Sequence, residues 1–191
     1  MSELKLFNSL TRQLETFTPV HDGEARVYTC GPTVYNYPHI GNMRAYVFAD
    51  TLGRVLSYKG YKLTHVINIT DVGHMAEDIA GNEIGEDKLL AQSKAEAIDP
   101  FEIARKYEAN FHTDLARLNV IPATAYPRAS ETIDLMLKLI IDLISTNRAY
   151  VGADGCVYFS ATTFEPYGEI SGNRSLMVFI SAAMLNCQLL L

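Results

Sequence analysis

The feature that most constrains this chain is a change of hydrophobic period near Gly41 and its reversal near Leu63. Residues 26–30 (RVYTC) are rich in β-formers and read as a short strand. A loop from Gly31 to Ile40 follows, carrying Pro32 and Pro38. Beyond it Ala45, Phe48, Ala49, Leu52, Val55 and Leu56 recur at intervals of three and four, one face of an amphipathic helix. Asn42 reads as its N-cap and Gly60 as its stop. Residues 63–69 (LTHVINI) then return to β-formers. Strand, helix and strand within about forty residues make a βαβ unit, with parallel strands and a right-handed crossover.

The remainder extends this α/β reading. Residues 72–87 are acidic and glycine-punctuated, as in a surface loop. Asp99, Pro100 and Glu102 supply an N-cap, a first-turn proline and a first-turn acid. Phe101, Ala104, Tyr107, Phe111, Leu115 and Leu118 continue that helix. Another helix is predicted from about Ser130 through Met136, Ile140 and Ile144 to Asn147. Residues 149–151 and 156–159 flank Ala153-Asp154-Gly155 as a hairpin. The seventeen residues from Ser175 to Leu191 carry no charge. They sit at the lower edge of spanning length, with no basic flank beyond Arg174, and read as a core segment or chain end rather than a membrane span.

Composition narrows the function classes. A chain of 191 residues, 48% hydrophobic and 20% charged, suits one globular domain with room for a subdomain. Its net charge of −6 argues against wholesale electrostatic wrapping of nucleic acid, though a local basic groove stays possible. Cys30, Cys156 and Cys187 are too few and too scattered for a disulfide framework, so a reducing, cytoplasmic setting is expected. The first fifteen residues lack the apolar run of a secretory signal.

The candidate chemistry lies in residues 28–45, YTCGPTVYNYPHIGNMRA. A helix N-terminus attracts anions, and ligands of open α/β sheets bind beyond the carboxyl ends of the strands. His39 can donate to a phosphate oxygen, and Gly41 leaves room for close approach, so a nucleotide phosphate is one reading. The same spacing suits a pair of side chains that only cap the helix. Cys30, taken alone, reads as a small buried apolar residue.

HIGN at 39–42 resembles the HIGH signature of class I aminoacyl-tRNA synthetases, and CGPTVYNYPHIGNMRAYVFAD resembles the cysteinyl-tRNA synthetases among them. LFNSLTRQLETFTP (6–19), INITDVGH (67–74), GEDK (85–88), YPRAS (126–130) and EPYGEISGNR (165–174) extend the resemblance from about residue 4 to residue 174. It implies the Rossmann-like, nucleotide-binding half of a class I catalytic domain over residues 1–75. A helical and hairpin segment over 76–174 would lead into the connective insertion, and 175–191 would be an atypical apolar tail. The implied activity is cysteine–tRNA ligase, using ATP with Mg2+, L-cysteine and tRNA(Cys).

The resemblance also implies roles. Cys30 matches the first of four zinc ligands, the others being a cysteine, a histidine and a glutamate. The zinc would hold the substrate thiolate and so separate cysteine from serine, which shape alone does poorly. Cys30, Gly31 and Thr70 would bind the substrate cysteine, with Asp71 beside them. Pro32, Thr33, His39, Gly41 and Asn42 would bind ATP, with His39 and Asn42 catalytic at the α-phosphate. Asn42 replaces the last histidine of the signature; it keeps a donor but cannot be cationic. His74, Glu77 and Asp78 are of metal-ligand type, but their spacing fits no familiar site. Cys156 reads as mid-strand packing, and His65 and His112 as structural. These residues contain no KMSKS string and no W-H-x-E-C-like string, and no histidine or glutamate follows Cys187. One zinc ligand of four is therefore expected, in an N-terminal part of the enzyme that forms no detectable cysteinyl-adenylate alone. The alternatives are an inactive nucleotide- or tRNA-binding fragment derived from a synthetase, and a related ligase that joins cysteine to an amino sugar.

Overall fold

The computed structural model describes residues 3–73, 92–94 and 96–172. The expectations for His74, Glu77 and Asp78, for residues 85–88 and for the apolar tail with Cys187 lie outside them. The chain forms two compact units, one spanning Pro19–Thr132, the other joining Met1–Thr18 to Ile133–Leu191. In chain order the elements are β1 (Lys5–Asn8), β2 (Gln13–Thr16), β3 (Glu24–Thr29), α1 (Ile40–Tyr58), β4 (Lys62–Ile67), α2 (Pro100–Arg117), α3 (Ile133–Ser145), β5 (Ala149–Val151) and β6 (Val157–Phe159).

Within Pro19–Thr132, β3 and β4 pair in parallel, from Glu24↔Lys62 to Thr29↔Ile67, with α1 as the crossover the sequence predicts. A third extended run, which the sequence reading does not find, lies along the other edge of β4. Thr124 N–H donates to the His65 carbonyl (2.7 Å), Ile67 N–H to Ala125 O (3.1 Å), Ile69 N–H to Pro127 O (2.8 Å) and Ala129 N–H to Ile69 O (2.9 Å). Pro122 and Pro127 hide this run, because each lacks an N–H and interrupts the β pattern. Only an outer position tolerates them.

The period of α1 is as expected, but its buried face is turned by one residue. Met43, Tyr46, Ala49, Gly53 and Leu56 are buried, whereas Ala45 is exposed and Phe48 is 71% exposed. Gly53 lies on this face, where a Cβ would stand 3.0 Å from the Leu63 side chain of β4 and crowd it. The helix ends at Tyr58, and Gly60 takes φ +93° just beyond it. α2 begins as predicted, with Asp99 Oδ1 accepting from Phe101 N–H (2.9 Å) and Pro100 in the first turn. Its buried face is Ile103, Ala104, Tyr107, Glu108, Phe111 and Leu115; Phe101 and Leu118, at the helix ends, stay exposed.

Phe111 is fully buried and meets Tyr46 of α1 edge-on at 4.9 Å, in a core that also holds Val34, Ile67, Ile69 and Leu115. Glu108 enters this apolar face because both its oxygens accept from Arg128, at 2.9 Å each, a bidentate pair tying α2 to the outer run. His112 packs against Phe111 and Tyr126, in keeping with its structural reading. His65 is buried on β4 with Nε2 at 2.8 Å from Thr29 Oγ1.

The second unit contains two hairpins and a helix. β1 and β2 pair antiparallel around a turn in which Asn8 Oδ1 accepts from Leu10 N–H (3.0 Å); the sequence reading assigns no strands there. The helix expected from Ser130 opens as a 3₁₀ turn, Ser130–Thr132, before α3 proper. No residue of α3 is fully buried among the described residues. β5 and β6 form the predicted hairpin, with Gly155 at φ +79° and Asp154 Oδ1 accepting from Cys156 N–H (3.0 Å). Cys156 sits in the turn rather than mid-strand, because Asp154 and Gly155 lengthen the loop. Among the described residues, no helix is long and apolar enough to cross a membrane.

Two stability outcomes follow. Phe111→Ala should cost about 3–5 kcal/mol in chemical denaturation, the scale of an emptied aromatic site, whereas exposed Leu139→Ala should change it by less than about 0.5 kcal/mol. Burial lowers the pKa of His65 from its ordinary 6.5, with Asp50 opposing weakly. The unfolded chain then binds more protons than the folded one just below pH 6.5, so this contribution is complete above 6.5 and is lost as pH falls through the window beneath it. Unfolding midpoints measured from about pH 7.5 to 5 should fall once the pH drops below 6.5, and His65→Gln should flatten the slope.

Candidate functional site

β3 and β4 end side by side, and the chain beyond each stays coupled. Thr70 N–H donates to Pro32 O (3.0 Å), Val34 N–H donates to Thr70 O (3.2 Å), and Thr33 bridges Thr70 in parallel. The backbone of Pro32 and Thr33 is thus committed to holding the loop in register. Cys30 follows β3 directly, with an exposed thiol. Gly31 has no alternative residue: a Cβ there would lie 1.5 Å from the Asn68 carbonyl oxygen. Its N–H donates to Asn68 Oδ1 at 2.8 Å. Cys30, Gly31 and Thr70 therefore share one sheet edge, as the βαβ reading anticipates. The thiol also lies near α1: Tyr46 is pushed up to about 12, chiefly by burial and to a smaller extent by its interaction with Cys30.

The N-cap of α1 is His39, a correction to the expectation that Asn42 holds that place. His39 Nδ1 accepts from the N–H groups of Gly41 (3.0 Å) and Asn42 (3.4 Å), and Asn42 Oδ1 returns a bond by accepting from His39 N–H (3.1 Å). This is a capping box with imidazole in place of a hydroxyl and Asn42 in place of an acid. Gly41 is small for a specific reason. A Cβ would stand 2.9 Å from His39 Cε1, so any other residue would push the ring off the turn. With Nδ1 accepting, the tautomer assigned from these donors carries its proton on Nε2. His39 is exposed, and Nε2 makes no hydrogen bond among the described residues. Capping and ligand binding are thus compatible readings: one nitrogen serves the helix and the other is presented outward.

Asp71 is buried, and its two oxygens accept from the N–H (2.9 Å) and the hydroxyl of Ser130. It anchors the 3₁₀ turn and lines a cavity of about 230 Å³ with Arg105, Glu108, Arg128 and Ser130. Its carboxylate is engaged there rather than free. Sequence reasoning also passes over Asn68, whose signal is its position between Ile67 and Ile69. Both isoleucines are essentially fully buried, so alternation puts Asn68 on the opposite face. Among the described residues, no group of three or more His, Cys, Asp or Glu side chains is placed to hold a metal, so Cys30 contributes a single donor.

Residues 16–183 match the family model for the catalytic domain of tRNA synthetases class I (C). Among curated relatives, a cysteine–tRNA ligase of Novosphingobium aromaticivorans is 52% identical over 168 residues, covering 88% of this chain and 33% of the relative. One from Treponema pallidum is 44% identical over 164 residues, 86% of this chain and 31% of the relative. One from Chlorobaculum tepidum is 42% identical over 176 residues, 90% of this chain and 35% of the relative. The chain spans about a third of the length of the curated relatives it matches. With most of its length matched by that model, the chain belongs to the class I tRNA synthetases of the (C) family.

Proposed function

We propose that this chain supplies the N-terminal, Rossmann-like part of a cysteine–tRNA ligase and that its site binds L-cysteine and ATP. The observation that carries the reading is the arrangement at one sheet edge. Cys30 and Thr70 end adjacent parallel strands, and His39 caps the crossover helix between them with Nε2–H turned outward. In the proposed reaction the carboxylate of cysteine attacks the α-phosphorus of ATP and pyrophosphate leaves. The resulting mixed anhydride then passes its acyl group to a 3′-terminal hydroxyl of tRNA(Cys). Mg2+ is expected on the ATP phosphates. Segment roles follow the same resemblance: 1–75 the first half of the catalytic domain, 76–174 the approach to the insertion and 175–191 a tail, in a cytoplasmic enzyme.

The residues present have definite tasks in this scheme. Gly41 and Asn42 N–H groups are taken up by His39 Nδ1, so an α-phosphate oxygen meets the imidazole N–H rather than the bare helix amides. The helix dipole supports that donor from behind. Asn42, with Oδ1 bonded to His39 N–H, keeps its amide donor for the same anion. Thr70 and the Cys30–Gly31 turn face the substrate cysteine. A zinc ion would polarise the substrate thiol as its thiolate, and Cys30 is a donor of suitable chemistry. The described residues do not complete a closed four-ligand site, so no step here runs through the metal.

Calorimetric titration separates capping from ligand binding. His39→Asn should preserve the helix cap and the unfolding midpoint while weakening ATP by roughly 1–2 kcal/mol, the scale of a charge-assisted hydrogen bond. His39→Ala should lose both. Equal ATP affinity in all three proteins would remove His39 from the site. ATP binding with no preference for L-cysteine over L-serine would favour a nucleotide-binding fragment instead.

A further inference from the structure

We propose that Asn68 is a positioning residue: it clasps the Cys30–Gly31 turn to Thr70 and leaves the Thr70 hydroxyl as a hydrogen-bond donor for the substrate cysteine. The inference rests on the reading of Cys30, Gly31 and Thr70 as the cysteine-binding residues. Asn68 Oδ1 accepts from Gly31 N–H and from the Tyr28 hydroxyl, each at 2.8 Å, and Nδ2 donates to Thr70 Oγ1 at 3.0 Å. One half-buried side chain thus joins the end of β3 to the end of β4. Its own carbonyl meets Gly31 so closely that no Cβ fits between them.

The amide is what matters. Because Thr70 Oγ1 accepts from Nδ2, its proton must point elsewhere, and the hydroxyl is offered to a ligand as a donor. A carboxylate at position 68 would still accept from Gly31 and Tyr28, but it would draw the Thr70 proton to itself. Thr70 would then meet the substrate cysteine as an acceptor. Asn68→Asp therefore preserves the clasp and reverses the polarity of Thr70. Asn68→Leu, of similar size, removes all three bonds.

The test uses the 15N-labelled 191-residue chain under reducing conditions. Two quantities are read: exchange protection of the Gly31 amide and the L-cysteine affinity from amide shifts. Asn68→Leu should lose Gly31 protection. Asn68→Asp should keep it, yet weaken L-cysteine at least about tenfold, the scale of one lost hydrogen bond to a charged or polar partner. Thr70→Val should weaken L-cysteine similarly, and adding Asn68→Asp to it should weaken binding no further. Unchanged Gly31 protection in Asn68→Leu would overturn the clasp. Unchanged affinity in Asn68→Asp would overturn the polarity assignment. If the parent chain shows no L-cysteine shifts at Gly31 or Thr70, the pocket reading fails and the positioning role fails with it. Gly31 exchange then still decides the clasp independently.

Discussion

The central position of β4 is the constraint on which the Pro19–Thr132 unit depends. Its backbone is paired in parallel with β3 on one edge and with the run through Ala125 and Pro127 on the other. Parallel pairing forbids a tight turn, so the chain must cross over the sheet through α1. The crossover starts at His39, after the loop that leaves β3, and returns the chain to Lys62 beside the start of β3. Gly53 against Leu63 sets how close the helix lies, and the Tyr46–Phe111 contact seats α2 on it. The pairing of the Cys30–Gly31 turn with Thr70 is a consequence of connection and packing, not of local sequence alone.

A second consequence concerns economy of groups at that edge. His39 Nδ1 accepts from the Gly41 N–H and shares that of Asn42 with the His39 carbonyl, and this bonding assigns the tautomer that carries its proton on Nε2. Asn68 similarly satisfies the Gly31 N–H and leaves Thr70 with a directed proton. In both cases a structural hydrogen bond determines the polarity of the group offered to a ligand. Asp71 differs, since each of its oxygens already accepts a bond from Ser130 and holds the 3₁₀ turn.

How legible all this was depends on which physical signal each part leaves in the sequence. The β-to-helix switch at Gly41 and the Asp99-Pro100 start of α2 were readable because periodicity and caps are local. The phase of α1 differs by about one residue because two apolar stripes overlap in its sequence, sharing Ala49 and Leu56, and the buried one runs through Gly53, which carries no hydrophobic signal. The N-cap was assigned to Asn42 on propensity, while the imidazole of His39 took it with the help of Gly41. The outer run leaves no local signal, because its partner is distant in sequence and its prolines have the pattern of a loop. Cys30 and Thr70 are legible from strand ends and family resemblance, whereas the alternation of Ile67 and Ile69 tells only which face Asn68 takes, not that its amide bridges two chain segments.

The central claim is that this sheet edge activates cysteine, and its most direct test is pyrophosphate exchange in a chimera. The chimera would carry the matched segment of this chain in place of the corresponding segment of the Novosphingobium aromaticivorans cysteine–tRNA ligase. The expected result is cysteine-dependent exchange within about tenfold of the parent ligase, falling a further 10²–10³-fold, roughly the loss of one transition-state contact, on Cys30→Ser. A folded chimera with no exchange, or one that keeps its activity after Cys30→Ser, would contradict the account.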